Sequence, residues 1–258
     1  MPANKIQNFV EHLSWDEVSA RIASGASAIL PIGAGAKEHG LHLPMNADRI
    51  QAEAISEQLA DRTDALIWPT LTYGYYPAFV EYAGSCSLSA GTFERIIEEL
   101  TCALVGYGCR AVFILDTGIS TISPVQRALA RVGGAKHLHL KIHAGARYRK
   151  ARGQISEQDY GSHADELETS LMLVLAPEFV DAARAEASPQ TARNVQGMLS
   201  PSDPLAQNYS RSGSFGDPTI ATREKGAILL AAIVEDLFEQ VGSFLDKTPQ
   251  ATSRKPVS

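Results

Sequence analysis

The sequence predicts an α/β fold, a single domain with a mainly parallel sheet flanked by helices, on three observations. Short β-type runs alternate with helical patterns along the chain, the order that builds a parallel sheet through helical crossovers. With 258 residues, 45% of them hydrophobic, the chain can bury a sizeable core without cross-links. No Pro-, Gly- or Ser-rich linker and no long charge run divides the middle of the chain, so one domain over 1–246 is expected. Almost nothing in 247–258 is apolar, and those residues read as a flexible C-terminal tail.

The first strand is expected over 26–32, an apolar run, and the helix after it over 45–59. A short strand follows at 65–69, then a helix over 92–105 and a strand over 111–115. In the strand over 138–142, Leu138, Leu140 and Ile142 share one face, while His137, His139 and His143 lie on the other. That alternation accounts for the three histidines as a half-exposed strand face, with no metal needed. A helix over 166–175 opens on acids that the helix dipole favours. The last helix, over 225–238, holds the longest uncharged apolar stretch, 227–234, which is too short to cross a bilayer.

Composition excludes several function classes. The net charge of −6 and the lack of a basic cluster interleaved with aromatics argue against nucleic acid as a partner. Asn4, Lys5, Glu11 and Asp16 interrupt the first twenty residues, so no signal peptide is expected. Cys86, Cys102 and Cys109 form neither an even set nor a CxxC pair, which suits a reducing compartment. A cytoplasmic protein with no membrane partner is the expectation.

The densest polar cluster, Lys37 to Asp48, follows the first strand and contains Glu38, His39 and His42. Imidazole with carboxylate makes a hard-to-borderline metal site if the loop folds back on itself, which Gly40 and Pro44 permit. The alternative is that Asp48 caps the helix from Arg49 and the histidines are loop surface. A second cluster, His163-Ala164-Asp165-Glu166-Leu167-Glu168, opens an apolar helix, and an ordinary acid-rich first turn would explain it equally. The aromatic segment Tyr73 to Phe79 is too broken by Gly74 and Pro77 for a helix; it lines either a pocket or an oligomer interface.

Taken in order, these segments resemble the creatininase family of metal-dependent amidohydrolases, from about residue 30 to 238. The family's loop Pro-x-Gly-Ser-x-Glu-Gln-His-Gly-Pro-His-Leu-Pro-x-x-Thr-Asp is similar to the stretch from Pro31 to Asp48. Its Tyr-Gly and Gly-Thr-x-Ser-Leu pieces are similar to Tyr73-Gly74 and Gly84-Ser85-Cys86-Ser87-Leu88. Its His-Ala-Gly-Glu-x-Glu-Thr-Ser segment is similar to His163 through Ser170, and a late Gly-Asp-Pro to Gly216-Asp217-Pro218.

The resemblance implies a divalent metal (zinc, manganese or iron) held by His39, Asp48 and Glu166, a small-molecule substrate and a homo-oligomer. The family's second metal takes a glutamate two residues before the hallmark histidine and a histidine from an Asn-Gly-His-Gly-Gly-Asn loop. Here those positions are Lys37 and Gly118. Either Glu38, swung inward by one extra residue in the loop and helped by Asp116, restores that metal, or the Lys37 ammonium replaces it. The second reading, one ion per chain, is favoured because loss of two ligands with gain of a lysine is electrostatically self-consistent.

The implied reaction is hydrolysis of the C–N bond of a small amide, cyclic amide or formamide by metal-activated water. His163 is the expected proton carrier, and Lys37 the oxyanion stabiliser. His42 is expected to orient the metal loop by a hydrogen bond. Tyr73, Tyr75, Ser85 and Asp116 are the expected substrate contacts. Two alternatives stand beside this: a metal-assisted lyase or dehydratase with Lys37 and His163 as acid and base, and a catalytically idle binding or assembly subunit.

Overall fold

Four short runs pair into one parallel sheet: β1 (Ala28–Ile32), β2 (Leu66–Ile67), β3 (Val112–Asp116) and β4 (His137–Lys141), in the order β2-β1-β3-β4. The computed structural model describes residues 8–134, 136–188 and 198–248. Every position of β1 and β3 is buried, as continuous apolar strands require when helices cover both faces of a sheet. The register sets Leu30 opposite Ile114 and Ile114 opposite His139. At the β4 edge the histidines sit on partly buried positions while Leu140 is buried.

Strand alternation divides the core in two. Ile29, Phe113, Leu115 and Leu140 face a layer made by α2 (Ala47–Thr63), α5 (Ala146–Ile155), α6 (Glu166–Leu175) and α7 (Arg223–Lys247). Leu30, Ile32, Val112 and Ile114 face α3 (Ala90–Gly106) and α4 (Ile122–Arg131). Phe93 and Phe113 are both fully buried, one in each layer; truncating either to alanine would cost about 3–5 kcal/mol. Among the described residues no helix is long and apolar enough to cross a membrane.

Each element expected from the sequence is present, with ends displaced by a few residues; α7 is longer, beginning at Arg223 and ending at Lys247. Lys247, where the tail was expected to start, therefore closes a helix, and 249–258 lie outside the described residues. Three helices were not among those expected from the sequence. α1 (Trp15–Ala23) buries none of its residues; it is set by a capping box in which the Ser14 N–H donates to Glu17 Oε2 at 2.8 Å. α4 carries Pro124 in its first turn, where proline is tolerated. α5 reads ARYRKARGQI and buries only Tyr148 and Ala151.

The sheet order also places the chemistry. From the central strand β1 the chain runs outward to β2, then returns across β1 to β3, so the loops leaving β1 and β3 diverge. Such a switch point opens a crevice at the strand C-termini, the usual ligand position in doubly wound sheets. Residues 33–46 and 117–121 are those two loops.

Candidate metal centre

The loop after β1 doubles back because its two ends are pinned together. The Lys37 N–H donates to the Met45 carbonyl at 3.1 Å, and α2 then starts at Ala47, with Asp48 in its first turn. Gly33 makes the close approach feasible, since a Cβ there would lie 2.5 Å from the Asp48 carbonyl oxygen. His39 and Asp48, nine residues apart in sequence, thereby meet with Nε2 3.2 Å from Oδ1.

When neutral, His39 is held in one tautomer. Its Nδ1 lies 2.9 Å from the Lys37 carbonyl, which only an Nδ1–H can satisfy. Nε2 is left bare, buried and without a hydrogen-bond partner, facing Asp48 Oδ1 and, at 3.7 Å, Glu168 Oε1. An unprotonated Nε2 would aim its lone pair at two carboxylates, a repulsion relieved either by a proton on that nitrogen or by a cation standing among the three groups. Burial and the nearby Lys37 push the imidazole pKa down, but Asp48 and Glu168 outweigh them and hold it above its ordinary value. His39, His163 and Glu168 offer ligand atoms within 4.8 Å of one another. One bare imidazole nitrogen with carboxylate oxygens is the donor set of a divalent transition metal, so the residues present fit such an ion.

Lys37 faces the same aspartate from the other side, its Nζ 2.6 Å from Asp48 Oδ2, and is itself buried. Its ammonium also lies over the Phe79 ring, 5.1 Å from the centroid. Burial alone would lower its pKa; Asp48, Glu168 and Glu38 more than offset that, so the amine stays charged. Burial likewise acts to raise the pKa of Asp48, yet Lys37 and His39 hold the carboxyl far below the usual range.

Glu38 points to a different partner. Its Oε2 lies 3.0 Å from His163 Nε2, the Gly40 N–H donates to Oε1, and its own backbone N–H donates to Ser85 Oγ at 2.9 Å. Gly213, at φ 87°, leaves the room, because a Cβ there would lie 2.0 Å from Glu38 Oε1. Glu38 thus pairs with His163 and does not turn toward Asp48 to rebuild a second metal shell.

The start of α6 decides which acid reaches the centre, and here the structure corrects the expectation. Asp165 is the N-cap, accepting from the N–H groups of Leu167 and Glu168, each at 3.0 Å. Glu166, at the first helical position, is turned away from His39 and Asp48. Its carboxylate accepts from Ser156 Oγ at 3.1 Å, Gln158 N at 3.0 Å and Lys225 Nζ at 2.5 Å. Glu168, at the third position, reaches back over the cap: Ala164 N–H donates to its Oε2 at 2.7 Å and Gln51 Nε2 to its Oε1 at 3.2 Å. Asp165-x-x-Glu168 is a capping-box spacing, the sequence signal that singles out Glu168. Ala164 takes φ 45° to make this turn, a left-handed conformation uncommon outside glycine.

The remaining expected residues divide. His42 Nε2 lies 2.7 Å from Thr169 Oγ1, beside Glu168 in sequence, and burial pushes its pKa down to about 4, so it stays neutral. A cavity of about 310 Å³ opens from Lys37, Asp48, His163 and Glu168 toward Tyr75, Tyr148 and Arg152. Tyr73 is 53% exposed and lies outside that wall, because the aromatic segment turns Tyr75, Tyr76 and Phe79 inward instead. Ser85 holds the Glu38 backbone and does not line the cavity. Asp116 is fully buried, and its carboxylate is consumed by Thr121 Oγ1 at 2.7 Å, Gly118 N at 3.0 Å and His139 Nε2 at 2.9 Å. It lies next to β4 under the 117–121 loop and is not among the residues lining the cavity.

A protein-family model described as creatinine amidohydrolase matches residues 11–241. The chain is 27% identical over 253 residues to the creatinine amidohydrolase of Pseudomonas putida, covering 90% of this chain and 95% of that one. It is 26% identical over 235 residues to the mycofactocin precursor peptide peptidase of Mycobacterium ulcerans, with 83% and 84% covered. Among solved structures, a manganese creatininase superposes with a TM-score of 0.78 at 25% identity, covering 94% of this chain and 99% of that one. A mutant creatininase of zinc–zinc type superposes at 0.76, with 25% identity and 93% and 98% covered.

Proposed function

Since the chain belongs to the creatininase family of metal-dependent amidohydrolases, we propose that it cleaves the C–N bond of a small amide, cyclic amide or formamide with a single divalent ion per chain. The observation that carries this reading is the bare, buried His39 Nε2 facing the Asp48 and Glu168 carboxylates. A divalent ion bound there supplies Lewis acidity to the amide carbonyl and makes a water acidic enough to attack near neutral pH.

The chain's own residues do the rest. His39, Asp48 and Glu168 hold the ion, and the His42 contact with Thr169 steadies the helix turn that carries Glu168. Lys37, charged and fixed on Asp48 Oδ2, stands where a second cation would neutralise that aspartate, and stabilises the oxyanion as it develops. His163 is oriented by Glu38 at 3.0 Å and moves a proton from the attacking water to the leaving nitrogen. The water oxygen bonds to the carbonyl carbon, the C–N bond breaks, and the nitrogen leaves protonated.

Metal analysis of protein purified without chelator tests the ion count: about one ion per chain is expected, and two tightly held ions would overturn it. Hydrolysis in oxygen-18 water places solvent oxygen in the product acid. A lyase or dehydratase on the same scaffold would release an unsaturated product without that label.

A further inference from the structure

The α5 part of the cavity lining carries two donors without a protein partner, the buried Tyr148 and the solvent-exposed Arg152. Tyr148 and Arg152 lie four residues apart on α5 and so share one helical face, and both line the cavity with Asp48, His163 and Glu168. Tyr148 is 6% exposed. Among the described residues, neither its hydroxyl nor the Arg152 guanidinium has a hydrogen-bond or ion-pair partner. Arg147 on the same helix is instead tied to Asp236 and Glu239.

The acids of the wall are already engaged. Asp48 has Lys37, Glu168 has Ala164 N and Gln51, and Asp165 has the N–H groups of Leu167 and Glu168 together with Gln158 Nε2 at 2.7 Å. None of them pairs with Arg152. Burial pushes the Tyr148 phenol up to about 12, and the nearby Arg152 charge acts against that rise, so the two groups sense each other and Tyr148 remains a protonated donor. His143 ties the wall in place: its Nε2 lies 3.1 Å from the Thr117 carbonyl, and its ring packs 5.5 Å from that of Tyr148.

We propose that Tyr148 and Arg152 bind a carboxylate on the substrate, so that the enzyme acts on small amides that also carry an acid group. A guanidinium fork with an adjacent phenol suits the two oxygens of a carboxylate, and a cavity of about 310 Å³ limits the substrate to a small molecule. The inference rests on the amidohydrolase reading above and adds to it a specificity determinant 104 to 115 residues beyond the metal loop, if counted from Lys37 to Arg152 and from Asp48 to Arg152.

The test compares matched pairs on metal-loaded enzyme: N-formylglycine against N-methylformamide, and hydantoin-5-acetic acid against 5-methylhydantoin. The acid member should be favoured in kcat/KM, chiefly through KM. Arg152→Gln should collapse the acid-to-neutral ratio by about 10- to 100-fold, the worth of one charge-assisted pair, with Tyr148→Phe losing less and Arg152→Lys retaining part. A wild-type ratio near one, or a ratio that Arg152→Gln leaves intact, overturns the proposal while hydrolysis itself stands. If neither pair is turned over, the hydrolytic reading fails on these substrates, and calorimetry with succinamic acid decides the carboxylate site separately. Saturable binding that Arg152→Gln abolishes upholds it, and no binding overturns it.

Discussion

The two walls of the cavity are built on opposite principles. On the wall formed by the β1 loop and α6, each charged group has a partner: Lys37 with Asp48, Glu38 with His163, Glu168 with Ala164 N and Gln51. Among the described residues of this wall, His39 Nε2 and His42 Nδ1 are the imidazole nitrogens without a hydrogen-bond partner, and of the two His39 Nε2 faces the Asp48 and Glu168 carboxylates. On the α5 wall, a phenol and a solvent-exposed guanidinium have no protein partner among the described residues. A buried, mutually satisfied set holds its geometry before anything binds, as metal ligands must. Donors at a cavity edge that have only water to bind exchange it for a ligand's acceptors when one enters. The difference separates a wall that does chemistry from a wall that selects what reaches it.

The largest effect should come from the bare nitrogen. His39→Ala or Glu168→Ala removes a ligand atom from the converging set, and both bound metal and turnover should fall below detection, a loss of at least about 10³-fold in kcat. Metal content measured alongside activity checks this. A Glu168→Ala protein that keeps its ion and its rate would break the assignment of the chemical wall.

Much of that wall was legible in the sequence and most of the opposite wall was not. His39 and Asp48 announce themselves because a glycine and a proline lie between two ligand types in one loop. The choice among Asp165, Glu166 and Glu168 depends on helix phase: two residues along the first turn separate the carboxylate that meets Lys225 from the one that meets His39. Asp116 was named from the loop that stands where the family has its Asn-Gly-His loop, and that correspondence says nothing of the pairing with His139 that engages its carboxylate. α5 was silent because a helix with only two buried residues has no apolar period, and its functional face shows only as Tyr148 and Arg152 four apart.

Lys37 gives the next largest effect. Lys37→Met keeps the stem against Phe79 but leaves Asp48 Oδ2 without its 2.6 Å partner. The ion should stay at about one per chain while kcat falls about 10²-fold, the scale of losing one oxyanion-stabilising donor. Metal content rising toward two per chain, with activity kept, would show that the lysine only blocks a second ion.

Glu166→Gln separates structure from chemistry on the same helix turn. The carboxylate is buried and receives Lys225 at 2.5 Å, so the change should cost about 2–3 kcal/mol and lower Tm by about 5–10 °C, with metal content retained. Burial acts to raise the Glu166 pKa, but Lys225 and the donors from Ser156, Glu157 and Gln158 bring it below 4.5. The stability it contributes is therefore complete above pH 4.5 and lost as pH falls through the lowered folded-state value. Acid titrations of Tm should show this component in the wild type and not in Glu166→Gln.

The smallest effect tests how the chemical wall is held. Ala164 occupies φ 45°, at a cost of about 1–2 kcal/mol for a residue with a Cβ. Ala164→Gly relieves that strain but adds about 0.5–1 kcal/mol of unfolded-chain entropy, so Tm should move by no more than about 3 °C. Glycine takes the left-handed conformation freely but extended ones as readily, so the N–H that donates to Glu168 Oε2 at 2.7 Å is held less rigidly in place. Metal affinity should accordingly weaken a few-fold while Tm barely changes. Affinity and Tm falling together would mean that the turn serves the fold and not the ligand.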